Sequence, residues 1–176
     1  MLKVKAGQTQ QLALLFERYK KLLFTFFYHG NQDAQLSEDL VQNTFMRILK
    51  YRSSFKGEGA FKVWMFHIAR NVRHDHFRKQ KRFNNEDLDS WSDKIGDQEP
   101  NREIEITQTE EMKMLQIALQ RLDEDKREII TLSKLQGMKY KEIAQLLSCT
   151  EGAVKVKVFR AFNELKEKYN HLASNV

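Results

Sequence analysis

The chain has 176 residues, a formal net charge of +6, one proline, seven glycines and one cysteine. That length holds one ordinary domain or two small ones, and so few turn residues favour helices over a turn-rich β fold. The lone Cys149 excludes an internal disulfide, which fits a reducing compartment.

The charge is blocked along the chain. Residues 1–82 carry 16 basic and 6 acidic side chains, residues 83–111 carry 2 and 10, and residues 112–176 carry 12 and 8. Two basic blocks around an acidic one suggest a polyanionic partner, most simply nucleic acid, although a solvated lysine-rich surface gives the same balance. The N-terminus lacks the apolar core of a signal peptide, and the apolar run Leu22 to Tyr28 is far too short to span a bilayer. A soluble, cytoplasmic protein is expected, not one embedded in a membrane.

In chain order, the first helix is expected from about Thr9 to His29. Leu12, Leu15, Phe16, Tyr19, Leu22, Leu23, Phe26 and Phe27 recur at spacings of three and four, and Gly30-Asn31 would end it. Ser37 is the expected N-cap of a second helix that runs to about Tyr51. A loop follows over Ser53–Gly59, then a third helix over about Ala60–Arg82 whose second half is densely basic. Residues 83–106 lose periodicity and read as an acidic linker with little fixed structure. Helices resume over about Thr107–Leu122, Asp125–Leu135, Tyr140–Leu147 and Glu151–His171. The expected fold is all-α: two small helical domains, 1–82 and 107–176, joined by a flexible acidic linker, the second containing a helix-turn-helix.

That motif covers Lys139 to Phe159: a short helix, a tight connection and a longer helix capped by Thr150. Val154, Val158, Ala161 and Leu165 cluster within roughly 40° of one another on the second helix. Gly152, Val156, Phe159, Arg160 and Asn163 lie roughly 130–180° from that buried stripe, flanked by Lys155 and Lys157. An exposed Val and Phe beside Arg and Asn suit a major groove, where Arg takes guanine, Asn takes adenine and apolar groups meet the thymine methyl.

With the helix-turn-helix placed, the whole chain resembles a bacterial RNA polymerase sigma factor of the extracytoplasmic-function (ECF) group of the sigma-70 family. Three stretches carry the resemblance. Residues Ser37 to Phe45, with Asp39-Leu40-Val41-Gln42, look like the family's core-polymerase-binding helix. Residues Phe55 to Asn71 look like its promoter-melting segment, and Tyr140 to Lys155 resemble its region 4 motif. Lys139 stands where the family has Ser or Thr, Ser148 replaces a turn glycine, and Val156 replaces a Ser on the reading face.

The resemblance implies a factor that binds polymerase core, recognises minus-ten and minus-thirty-five promoter elements, and assists melting without catalysing anything. Asp39, Gln42 and Met46 fall at i, i+3, i+7, a polar strip with an apolar anchor suited to another helix. The resemblance names that helix as the clamp coiled coil of the β′ subunit, and the β flap as the partner of region 4. Minus-ten DNA would meet Lys56, Gly57, Glu58, Arg70, Asn71, Arg73, His74 and Lys79. Catching an unstacked base takes flexible and polar groups, and holding a melted strand takes cations. Minus-thirty-five DNA would meet Thr150, Gly152, Lys155, Val156, Lys157, Phe159, Arg160 and Asn163. The family's linkers thread through the polymerase channels, a role that acidic residues would suit. The family also has anti-sigma partners, although no residue here displays one.

His67, His74 and His76 do not converge as metal ligands, since positions 74 and 76 point to different helix faces. No metal, cofactor or catalytic constellation is expected. The competing reading is a stand-alone helix-turn-helix regulator with an N-terminal helical sensory domain. Such a protein would bind its site unaided, whereas a sigma factor binds weakly until it joins polymerase. An enzyme on a helical scaffold is a further alternative, which the missing catalytic set argues against.

Overall fold

The computed structural model describes residues 1–57, 61–86 (83–86 as backbone only) and 110–174. Eight α-helices make up the described fold: α1 Leu2–Lys5, α2 Leu12–Asn31, α3 Ala34–Lys50, α4 Phe61–Glu86, α5 Glu110–Gln120, α6 Glu124–Ile130, α7 Tyr140–Leu146 and α8 Glu151–Ala173. No strand occurs among the described residues. The expected all-α class is observed.

The first half is α2, α3 and α4 packed on one another. The three- and four-residue spacing of α2 delivers Leu23, Phe26 and Phe27 to full burial, where they meet Val41, Phe45 and Ile48 of α3 and Met65, Phe66 and Val72 of α4. Phe26 and Phe66 meet edge-to-face at 5.2 Å, the geometry that ring quadrupoles favour. Trp64 packs on Phe55 and Phe61, so it belongs to a half-buried aromatic cluster, as its spacing suggests.

Two boundaries differ from expectation. The second helix begins at Ala34, not after Ser37. Its N-cap is Asp33, whose carboxylate accepts the Leu36 N–H at 2.9 Å. Ser37 is buried inside the helix, its hydroxyl donating to the Asp33 carbonyl. The first helix runs through Gly30 and ends where Gln32 turns left-handed at φ 59°.

In the second half, Val154, Val158, Ala161 and Leu165 of α8 are all buried, as the stripe predicts, against α5, α6 and α7. The helix expected over 125–135 is α6 followed by a π-helical turn over Thr131–Leu135. Thr150 caps α8 by accepting the Ala153 N–H at 3.1 Å. At the start of α7, Lys139 brings no side-chain cap, but the Glu142 carboxylate accepts its backbone N–H at 2.8 Å, so half of a capping box survives. The α7–α8 turn passes through Ser148 at φ 51°, a conformation that favours glycine.

The two halves are not held apart. α2 packs on α5 and α6, and α4 packs on α7. The linker expected over 83–106 keeps its helix as far as Glu86, and the rest of it lies outside the described residues.

Candidate nucleic-acid and polymerase interfaces

The burial of Val154, Val158, Ala161 and Leu165 fixes the rotation of α8, and so decides what it presents outward. Gly152, Lys155, Val156, Lys157, Phe159, Arg160 and Asn163 are all exposed. Phe159 is 65% exposed and lines one groove with the exposed Val156 and Phe162, so the apolar surface is grouped and not scattered. Lys139, the N-cap of α7, and Lys141 within α7 are exposed as well, so the first helix of the motif adds cations to the surface.

On α3, burial of Leu40, Val41, Thr44, Phe45 and Ile48 turns Asp39, Gln42 and Met46 to solvent, with Met46 68% exposed. Beside this strip runs an open groove of about 560 Å³ between α2 and α3, lined by Phe16, Lys20, Phe24, Glu38, Val41 and Gln42. The strip shares Gln42 with this groove, whose apolar lining is Phe16, Phe24 and Val41.

The expected minus-ten group is divided. Lys56, Asn71, His74 and Lys79 are exposed, and Gly57 takes φ 80°, which only glycine adopts cheaply. Glu58 lies outside the described residues. Arg70 and Arg73 are not open to solvent as phosphate-binding groups would be. Arg73 is 4% exposed, its guanidinium 3.2 Å from Glu128 and 3.3 Å from Glu124. The Arg70 Nε donates to Glu128 at 2.8 Å. Both arginines therefore face the second half of the chain.

Sequence reasoning missed Glu128, which reads as one more charge on a helix yet is 6% exposed. It missed Lys62, whose ammonium donates to the Gln136 carbonyl and whose burial lowers its pKa. It also missed Asp75, which accepts from Arg47 at 2.7 Å and is held below the usual carboxylate range by that bond. A long-range partner leaves no periodic signal, so none of these could have been found by spacing alone. Phe162 could have been: it lies exposed on the flank of α8, between grooves lined by Lys134, Tyr140 and Phe159 on one side and by Met112, Leu115 and Tyr169 on the other.

Comparison with known proteins accounts for this arrangement. Residues 15–83 match the family described as Sigma-70 region 2, and residues 112–165 match Sigma-70, region 4. The ECF RNA polymerase sigma factor SigM of Bacillus subtilis is 30% identical over 162 residues, covering 89% of this chain and 93% of that one. The chain belongs to the sigma-70 family, in its ECF group. The ECF RNA polymerase sigma-E factor of Haemophilus influenzae is 29% identical, over 97% of this chain and 93% of that one. Among solved structures, the sigma factor RpoE of Bartonella quintana, in complex with the anti-sigma factor NepR, superposes with a TM-score of 0.73 at 26% identity. That match covers 90% of this chain and 96% of that one. As a sigma factor, the chain binds RNA polymerase core and promoter DNA and directs promoter-specific initiation. Sigma factors are in general non-catalytic initiation factors. No helix among the described residues is long and apolar enough to cross a membrane.

Proposed function

We propose the following division of labour for this sigma factor. Residues 1–82 act as region 2: Asp39, Gln42 and Met46 grip the β′ clamp coiled coil, while Lys56–Glu58 and α4 meet the minus-ten element. Residues 107–176 act as region 4, with Thr150, Gly152, Lys155, Val156, Lys157, Phe159, Arg160 and Asn163 on the minus-thirty-five element. The apolar flank around Phe162, Leu115 and Tyr169 receives the β flap. The acidic stretch 83–106 connects the two, and the factor works in the cytoplasm without catalysing a reaction. An anti-sigma factor holds it inactive, as NepR binds its RpoE partner.

The observation that carries this reading is the exposed face of α8, where apolar, amide and guanidinium groups stand together opposite a fully buried stripe. The stand-alone regulator is not favoured, because the first half matches region 2 and not a sensory domain. Transcription in vitro with purified core polymerase on a genomic fragment pool tests the assignment. Added protein should give initiation at discrete promoters, and random initiation indistinguishable from core alone would defeat it.

A further inference from the structure

We infer that Lys5 and Leu2 are positioning residues for minus-ten recognition: α1 braces the loop over Arg52–Gly57, so that Lys56 and Gly57 are held ready for an unstacked base. This inference rests on the proposed assignment of Lys56 and Gly57 to the minus-ten element.

The brace is a set of contacts across about fifty positions of chain. The Lys5 ammonium donates to the Phe55 carbonyl at 2.6 Å. That carbonyl belongs to the planar peptide joining Phe55 to Lys56, so holding it fixes the direction in which the loop leaves. A Cβ added at Gly57 would stand 3.0 Å from the Leu2 Cδ2, so α1 abuts the loop backbone itself. The body of α1 packs on the short turn Arg52–Ser54. All of these contacts lie within the first half, apart from the seam that it makes with the second.

α1 is only four residues long, and a helix of that length does not hold in water by itself. It is held by what it touches: Val4 is 0% exposed. Leu2, by contrast, stays 61% exposed, and Lys5 is exposed as well. These two side chains therefore add little to the core, yet both lie against the loop.

The loop needs such a brace. Gly57 takes φ 80°, and a glycine there leaves the free chain many other conformations. Catching an unstacked base already costs free energy, and ordering the loop at the same moment would add to that cost. The Phe55 side chain is fixed from the other side, by Trp64 at 5.3 Å and Phe61 at 6.0 Å. Phe61 in turn meets Tyr19 of α2 at 5.3 Å. The aromatic cluster thus holds the Phe55 ring and Lys5 holds its carbonyl, which leaves Lys56 and Gly57 on a fixed base.

The test uses the full chain assembled with core polymerase, as wild type, Lys5→Met and Leu2→Ala. The probe is a promoter recovered from the genomic pool, randomised at the minus-ten and minus-thirty-five elements and pre-opened over the first, with bound sequences counted across a salt series. Lys5→Met should lower the preference for the best minus-ten bases on the order of five-fold, the scale of one lost hydrogen bond. Leu2→Ala should shift it the same way by less. Competition for core and the minus-thirty-five preference should stay at wild-type values. Wild-type minus-ten preference in both variants would overturn the brace. Equal loss at both elements would overturn it too, since that is the mark of a merely structural part. So would a Lys5→Met variant that binds all sequences more weakly with its preference intact and its salt slope reduced by about 0.7, because Lys5 would then be a phosphate contact. A wild type with no minus-ten preference would sink the assignment of the loop, whereas a preference kept by both variants sinks the brace alone.

Discussion

Arg73 and Glu128 lie 3.2 Å apart, each almost wholly buried, although they belong to opposite halves of the chain. Breaking such a pair from one side leaves an uncompensated charge, a loss on the order of 3–5 kcal/mol, so the two stay together or separate into water together. Arg73 also lies over the Phe26 ring at 5.1 Å, which ties the pair to the core of the first half. His29 lines the same small cavity as this pair.

Acid should open the protein. Burial lowers the pKa of His29, whose side chain shares a small cavity with Arg73 of α4 and with Glu124, Arg127 and Glu128 of α6. Burial and the nearby Arg70 lower that of His67, although a bond to the Gln145 backbone opposes the shift. Both groups are thus favoured neutral when closed and protonate more easily when open. Closure should be fullest above the ordinary histidine value of 6.5 and weaken as pH falls below it toward the lowered values. Scattering at pH 7.5 and at pH 5.5, about one unit either side, should give a larger radius at the lower pH. His29→Gln with His67→Gln should flatten the dependence, and an undiminished pH response in that variant would count against this cause.

The same seam marks where sequence reasoning stopped. Periodicity placed the long helices because burial of one stripe is written every three or four residues, and the α8 stripe is buried at all four expected positions. The exposed faces of α3 and α8 follow from those stripes by simple rotation. The N-cap at Asp33 was missed because Ser37 is an equally good local candidate, and only the Leu36 N–H pointing at Asp33 separates them. Arg70 and Arg73 read in the sequence as phosphate ligands because nothing local distinguishes a free arginine from one paired with Glu128, about sixty positions away in the chain.

Loss of the α3 strip should weaken core binding and leave folding intact. Asp39, Gln42 and Met46 are exposed, so their truncation should move stability by no more than about 0.5 kcal/mol. At an interface centre, truncation of an anchor costs about 1–2 kcal/mol, roughly 5- to 30-fold in affinity. Asp39→Ala with Gln42→Ala, and Met46→Ala separately, should each lose competition for core polymerase at unchanged melting temperature. Wild-type competition by both variants would remove the strip from the interface.

On the reading helix, base contacts and phosphate contacts should separate by their salt behaviour. Arg160 and Asn163 stand on the exposed face of α8 with the chemistry to read purines, so each change to Ala should cost about 1–3 kcal/mol on the preferred duplex and relax one base position. Lys155→Ala and Lys157→Ala should instead weaken all duplexes alike and reduce the salt slope by about 0.9 each. Holoenzyme binding to a randomised minus-thirty-five library, repeated across salt concentrations, distinguishes the two patterns. A pattern in which the lysine variants alter base preference and the arginine variant alters only slope would reverse the assignment.

The turn of the helix-turn-helix should be improvable. Ser148 sits at φ 51°, where a side chain costs roughly 1–2 kcal/mol relative to glycine. Glycine returns about 0.4–1 kcal/mol of that as extra freedom in the unfolded chain. Ser148→Gly should therefore stabilise the protein by a net ~0.5–1 kcal/mol, seen as a higher urea midpoint at constant slope. Ser148 is exposed and lies outside the reading face of α8, so duplex preference in holoenzyme should be unchanged. A lower midpoint in the glycine variant would mean that the serine compensates its strained backbone through contacts in the turn, and the conformational argument would then fail at this position.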